Sequence, residues 1–226
     1  MTELPEQVSV IMVVKNGERF IGKAIESILA QILPVAELIV VDGRSSDRTV
    51  EVANYFESVH VLQQQGKGLA DARNTGIQAA RHDWIAFLDH DDEWTPGKLQ
   101  LQFAALRSSP GSLYTLGLLE FFVDGNEPLP QKHLPVKLNT PREGPTPGTL
   151  LSSRKVFETI GLFDERYSIG CDLEWIKRAR DRKIPAAECR EVVLRKRLHG
   201  GNLSLQAADN RREIFGILRD SLHRQS

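Results

Sequence analysis

Four carboxylates fall within five residues at Asp89-His90-Asp91-Asp92-Glu93, directly after the apolar run Trp84-Ile85-Ala86-Phe87-Leu88. Carboxylates crowded in this way repel one another, and a bound divalent cation would relieve the repulsion. Hard oxygen ligands suit magnesium or manganese. Asp89 and Asp91, two apart on an extended segment, would share one side. The plainer alternative is an exposed acidic turn capping a helix that begins near Pro96. Three further segments carry polar groups with chemical potential. Asp42 follows the apolar Leu38–Val41 in Val41-Asp42-Gly43-Arg44-Ser45-Ser46-Asp47, although Asp-Gly also serves as an ordinary turn. Arg73 and Asn74 lie in Lys67-Gly68-Leu69-Ala70-Asp71-Ala72-Arg73-Asn74-Thr75-Gly76, either a solvated helix face or a polar pair beside a glycine that permits close approach. His199 stands before two glycines in Arg197-Leu198-His199-Gly200-Gly201-Asn202, as a structural histidine or a metal ligand.

The elements that must position these groups follow from hydropathy. Val8–Val14 reads as a buried strand with the turn-forming Asn16-Gly17 after it. Glu18–Gln31 carries Phe20, Ile21, Ala24, Ile25, Ile28 and Leu29 at helical spacing. Glu37–Val41 is a second strand, Asp47 a candidate N-cap for the next helix, and Val59–Leu62 a third strand. A helix from Gly68 to Ala80 precedes a fourth strand at Trp84–Leu88. Strands that alternate with helices imply parallel pairing, since each connection must cross the sheet. Ligands in such sheets bind beyond the carboxyl ends of the strands, where Asp42 and Asp89 fall. Further on, helices are expected near Pro96–Ser108, at Arg154–Ile160, Asp172–Asp181 and Ala207–His223. Extended segments are expected at Leu113–Val123 and Glu191–Leu198. Residues 124–148 hold six of the eleven prolines and read as a long irregular loop.

Composition sets outer limits. The 226 residues are 41% hydrophobic and 26% charged, with 29 basic against 30 acidic side chains. That describes one soluble globular domain over 1–226, which the element pattern divides into a nucleotide-type α/β half at 1–110 and a less regular half at 111–226. The charge balance excludes a dedicated nucleic-acid binder. No apolar run approaches the ~18 residues of a membrane span. The acidic Met1-Thr2-Glu3-Leu4-Pro5-Glu6 lacks the regions of a signal peptide, and two cysteines suit a reduced, cytoplasmic setting. The last helix mixes Ile214, Phe215, Ile217, Leu218 and Leu222 with arginines. It would either dock on its own domain with the arginines in water, or lie on an anionic membrane.

Five segments, in order, resemble the nucleotide-sugar-dependent family 2 glycosyltransferases. These are Val8 to Asn16, Glu37 to Thr49, the Gly-x-x-x-Ala-Arg-Asn-x-Gly run from Gly68 to Gly76, Phe87 to Trp94 with its Asp-x-Asp, and Gly161-Leu162-Phe163-Asp164-Glu165 with Gly170-Cys171-Asp172. The resemblance covers about residues 7–205 and implies the GT-A fold, with a mixed, mostly parallel sheet. It implies that Asp42 contacts the nucleotide base, most often uracil, and that Arg73 lies near the base or diphosphate. Asp89 would approach the ribose or metal, with Val14, Asn16 and His90 also on the donor side. Asp91 would coordinate a manganese or magnesium ion, completed by His199. Asp172 would be the base that deprotonates the acceptor hydroxyl. The family commonly has Glu before that Asp where this chain has Cys171, so Glu174 is a rival for the base.

One base with direct displacement implies inversion at the anomeric carbon. The implied partners are a nucleotide-sugar donor, often a UDP-sugar, and a carbohydrate or lipid-linked acceptor in polysaccharide or glycoconjugate synthesis. Peripheral attachment at the inner face of a membrane would suit the lipid-linked case. A sugar-phosphate nucleotidyltransferase would need a glycine- and arginine-rich loop after the first strand, and Lys15-Asn16-Gly17-Glu18-Arg19 is too poor in glycine. A phosphatase would need a nucleophilic Asp with supporting Thr and Lys elements, which cannot be placed. A scaffold protein on a degenerate transferase fold is the remaining rival, and intact Asp91, Asp172 and His199 argue against it.

Overall fold

The computed structural model describes residues 7–125, 137–202 and 207–225. Strands β1 (Val8–Val14), β2 (Glu37–Asp42), β3 (Val59–Gln63) and β4 (Trp84–Asp89) pair in parallel in the order β3-β2-β1-β4. The three inner strands are apolar on both sides, so both faces of the sheet need cover. Val10, Met12, Val14, Leu38, Val40, Ala86 and Leu88 pack on one face against α1 (Ile21–Leu29) and α4 (Lys98–Ser108). Ile11, Val13, Ile39, Val41, Ile85 and Phe87 point the other way. They meet α3 (Gly68–Ala79), α5 (Arg154–Ile160) and α6 (Cys171–Asp181). Gly76 lets α3 come down onto β1: a Cβ there would lie 2.3 Å from Ile11 Cγ2.

The sheet continues as β4-β7-β6-β8-β5, with β6 (Tyr114–Phe122), β7 (Leu150–Ser153), β8 (Ala186–Arg197) and β5 (Glu93–Trp94). Strand β7 is antiparallel to both neighbours, β6 and β8 are parallel, and β5 runs antiparallel to β8. The result is a mixed, mostly parallel α/β sheet, as the family resemblance implies. Hydropathy missed β5 and β7, at two and four residues too short to show a period, and placed the start of β8 five residues late.

Asp47 is not the N-cap of α2 (Thr49–Asn54), a position held by Arg48. Its carboxylate still accepts from the Thr49 amide at 3.0 Å, one residue before the expected place. Of the proline-rich stretch, residues 126–136 lie outside the described residues. Beyond them, Leu138 and Arg142 bridge onto β6 at Phe121 and Leu119, and Pro147–Thr149 forms a helical turn into β7. Among the described residues no helix is long and apolar enough to cross a membrane.

Helix α7 (Ala207–Gln225) docks on α6 through Ile217, which is buried. Glu213 accepts from the amides of Ser168, Ile169 and Gly170 at 2.9, 3.0 and 2.7 Å. The expectation of arginines turned to water holds for Arg219 but not for Arg224. Arg224 reaches inward to Glu174 and Asp181, both at 3.1 Å, because those buried carboxylates need cations.

Lys98 on α4 is fully buried, and its Nζ donates to Gln102 Oε1 at 2.6 Å and to the Leu150 carbonyl at 3.4 Å. The ammonium also stands 4.8 Å over the Trp94 ring. Burial pushes Lys98 down to about 7, against an ordinary value of 10.5. Between those values the unfolded chain binds more protons at Lys98 than the fold does. Its contribution to stability therefore rises with pH across that window and is constant below it. Relative to Lys98→Met, the native protein should gain up to about 1.4 kcal/mol of unfolding free energy per pH unit from pH ~7 to ~10. Denaturant titrations at a series of pH values measure this, and parallel profiles for the two proteins would show Lys98 to be charged in the fold.

Candidate active site

The carboxyl ends of β1, β2 and β4 open onto a cleft of about 1120 Å³ whose far wall comes from the second half of the chain. The turns after β1 and β2 are tied together. Asn16, in the left-handed region at φ 54°, accepts from the Ser46 amide at 2.8 Å, and its own amide donates to Ser45 Oγ at 2.8 Å. Val14 and Asn16 line the cleft, as do Gly43 and Arg44. Asp42 is buried behind them, and its two carboxylate oxygens accept from the Ser45 amide at 3.3 and 3.1 Å. Gly17 makes room for His90: a Cβ would lie 2.4 Å from the imidazole Cδ2.

The acidic run is met by cations from β8. Asp92 is 1% exposed and accepts from Lys196 Nζ at 2.8 Å and the Arg197 amide at 2.9 Å. Glu93 accepts from Arg195 Nη1 at 3.2 Å and from Arg197 Nη2 at 2.5 Å. Asp89 accepts from Arg73 Nη2 at 3.1 Å. Three of the four carboxylates thus pair with Arg or Lys, so most of the repulsion is relieved within the chain. The expectation that this relief falls to a metal cation is corrected for Asp92 and Glu93, which β8 comes to lie opposite, and for Asp89, which Arg73 on α3 reaches. Burial works against the Lys196 ammonium, but the Asp92, Asp89 and Asp91 carboxylates outweigh it and hold the group above its ordinary value.

Asp91 is the exception. Its Oδ2 meets His199 Nε2 at 2.9 Å and accepts from Asn202 Nδ2 at 3.2 Å. Burial disfavours its charge, yet the His199 contact and the nearby Lys196 and His90 hold it well below the usual carboxylate range. The His199 ring packs 4.8 Å from the Phe20 ring, and its Nδ1 accepts from the Gly201 amide at 3.2 Å.

Arg73, also lining the cleft, is 2% exposed and bridges Asp89 to Cys171, whose Sγ lies 3.3 Å from Nη1. Burial raises the Cys171 thiol to about 11, so it stays protonated. Asn74 faces away from the cleft and clamps the Phe163 carbonyl and amide, both at 2.9 Å. The helix face carrying Arg73 and Asn74 is therefore packed, not solvated. Asp172 lies on the cleft in the first turn of α6, half-buried. Burial raises its pKa, while Arg73 and the Leu173 amide oppose the shift. Glu174 is buried 2% exposed on another side, held by Arg178 at 2.8 Å and Arg224 at 3.1 Å. Of the two carboxylates, Asp172 is the one that faces the cleft. The cleft thus gathers Val14, Asn16, Arg73, Asp89, His90, Asp91, Asp172 and His199, and leaves Asp42 and Glu174 behind its walls.

Sequence reasoning missed Lys196 and Asn202, which also line the cleft. The signal for Lys196 was the basic triplet Arg195-Lys196-Arg197, a charge complement to the acidic run.

The model of Glycosyl transferase family 2 matches residues 9–166. A UDP-Glc:alpha-D-GlcNAc-diphosphoundecaprenol beta-1,3-glucosyltransferase of Escherichia coli is 40% identical over 102 residues, 44% of this chain and 40% of that protein. The crystal structure of S. aureus TarS 1-349 in complex with UDP-GlcNAc has a TM-score of 0.76 at 19% identity. The match covers 96% of this chain and 66% of that one. Glucosyl-3-phosphoglycerate synthase from Mycobacterium tuberculosis, in complex with Mn2+, UDP and phosphoglyceric acid, has a TM-score of 0.68 at 19% identity. That match covers 96% and 78% of the respective chains. The architecture is that of these GT-A glycosyltransferases. The chain spans 26% to 70% of the length of the first curated relatives that it matches.

Burial pushes the Asp92 carboxyl up to about 7 even beside Lys196, so Lys196→Met, measured above that pH, should cost about 3–5 kcal/mol of unfolding free energy. Adding Asp92→Asn should restore most of that loss in denaturant titrations. Strictly additive losses would show that the pair does not carry the stability.

Proposed function

The chain belongs to glycosyl transferase family 2, and on that premise we propose that it transfers a sugar, with inversion, from a UDP-sugar to an acceptor hydroxyl. The observation that carries this reading is that Asp172 lines the same cleft as the Asp91–His199 pair. The donor side comprises Val14, Asn16, Arg73, Asp89 and His90. Asp42, behind the wall, would hold the Ser45 turn that borders the donor and not meet the base itself. The uridine nucleotides in the Staphylococcus and Mycobacterium structures support the choice of donor.

The cleft offers a divalent cation two donors, and among the described residues no group of three His, Cys, Asp or Glu is gathered at one point. A carboxylate oxygen and an imidazole nitrogen stand 2.9 Å apart on the cleft, and Asp91 is the one member of the acidic run whose hydrogen bonds come from neither Arg nor Lys. Asp91 and His199 would hold manganese or magnesium. When bound, the cation supplies positive charge against the negative charge that develops on the leaving diphosphate. The Mn2+ of the Mycobacterium complex supports this assignment. Arg73, fixed by Asp89, keeps a second positive charge under the same region.

Asp172 has the base role. An acceptor hydroxyl is a poor nucleophile near neutral pH, and a carboxylate with a raised pKa takes its proton more readily. One base attacking through the hydroxyl, with no second carboxylate as nucleophile, inverts the anomeric centre. The acceptor is a carbohydrate or a lipid-linked saccharide. The diphosphoundecaprenol-linked acceptor named for the E. coli relative supports the second of these.

Asp172→Asn should lower transfer by about 10²–10⁴ while donor binding, read by thermal shift with a UDP-sugar and manganese, is kept. Unchanged turnover would move the base elsewhere. Asp91→Ala should abolish the manganese dependence of donor binding, and an unaltered metal titration would sink that assignment. Anomeric analysis of the product by NMR should show inversion, and retention would overturn the single-base reading.

A further inference from the structure

With Asp42 held behind the wall by the Ser45 amide, the nucleobase of a donor needs another partner. A diphosphate at Asp91 and His199, with the acceptor toward Asp172, leaves the nucleoside a third part of the cleft. That part is built from the turns after β1, β2 and β3. Strand β3 is the edge of the sheet, beyond β2 and β1 from the β4 end that carries the acidic run.

The chemistry of these turns is one-sided. Lys15, Arg44 and Lys67 line them, all exposed, and none has an ion-pair partner among the described residues. The side-chain oxygens are turned toward the protein. Asn16 Oδ1 accepts from the Ser46 amide at 2.8 Å. Gln64 is buried under Gly43, where a Cβ would lie 3.2 Å from its Oε1. A base that enters here meets N–H donors.

Arg44 differs from the two lysines in its backbone, which lies in the left-handed region at φ 61°. A residue with a Cβ adopts that conformation at a cost that glycine does not bear. The fold gains little in return, since the Arg44 Nη2 donates at the surface to the Gln65 carbonyl at 3.0 Å. Backbone strain of this kind collects at ligand sites. The same hydrogen bond holds the guanidinium over the end of β3, and the fork keeps further N–H groups to donate.

We propose that Arg44 selects the nucleobase of the donor by donating to the carbonyl oxygen at position 4 of uracil. Position 4 is the edge of a pyrimidine away from the ribose. A base that extends from the diphosphate toward β3 brings that edge to the guanidinium. Cytosine carries an amino group there, so donor meets donor and both are left without a partner. The proposal rests on the reading of the cleft as a UDP-sugar site.

The test is calorimetric titration of the full chain with UDP and with CDP, each with manganese. Salt at about 0.5 M screens attraction at a distance. The native protein should bind UDP about tenfold or more tighter than CDP. Arg44→Gly should lose that preference through weaker UDP binding, with CDP binding kept. Its melting temperature should hold or rise, because glycine relieves the left-handed turn. Arg44→Asn, which also tolerates that conformation, should lose the preference in the same way. Equal weakening of UDP and CDP would overturn the proposal and assign Arg44 to general attraction of the diphosphate. Native protein that binds the two equally would overturn it as well. Tight UDP binding with the preference intact in both variants would remove the role of Arg44 alone. Native protein that binds neither nucleotide would remove the UDP-sugar reading and the proposal with it.

Discussion

Strand β8 runs antiparallel to the two residues of β5, and that short pairing sets three cations against a run of acids. Glu93 lies opposite Arg195, and the turn before it brings Asp92 under Lys196 and Arg197. Each buried carboxylate would be costly without its partner, and each buried cation equally so. The two halves of the chain are therefore locked together at the place where the cleft forms. Because Arg197 is anchored, the turn that follows it carries His199 and Asn202 over Asp91. Without the pairing at Asp92, the histidine would have no fixed relation to the carboxylate that it meets.

A second lock stands on the other side of the cleft. Arg73 holds Asp89 from α3, and Asn74 on the same helix fastens the loop at Phe163 that leads into α6. Asp172 is thereby set in the first turn of α6, with its charge balanced between burial and Arg73. The neighbouring Glu174 is taken up by Arg178 and Arg224, which ties α6 to α7. Carboxylates two residues apart thus serve different ends. One faces the cleft, and the other joins two helices.

Much of this was legible in the chain. The strands at Val8–Val14, Glu37–Asp42 and Trp84–Asp89 announce themselves as β-branched and apolar runs, and glycines mark the close approaches at positions 17 and 76. The polar residues at the strand ends, Asn16, Asp89, His90 and Asp91, could be placed on one side of the sheet from topology alone. The second half was harder because its elements obey no long period. Strand β7 is Leu-Leu-Ser-Ser, too short to alternate visibly, and β5 is two residues. The arginines of the last helix could not be oriented from sequence, since the acids that draw Arg224 inward lie 43 and 50 residues away.

The sequence by itself determined which groups are available and which end of the sheet they occupy, because hydropathy and turn chemistry act over a few residues. It therefore marked the acidic run and the late histidine as residues of interest, while Asp172 was named only through the family resemblance. How their charges are balanced follows from the fold. Asp92 and Glu93 are neutralised by a strand about a hundred residues away in sequence, and Asp91 is left to a histidine. Electrostatic pairing depends on distance through space and on burial, and neither is written in local order. The same reason explains why α7 shows its apolar face outward. Its inward face was chosen by buried acids and amides of α6 and the loop before it, which no periodicity within the helix reveals.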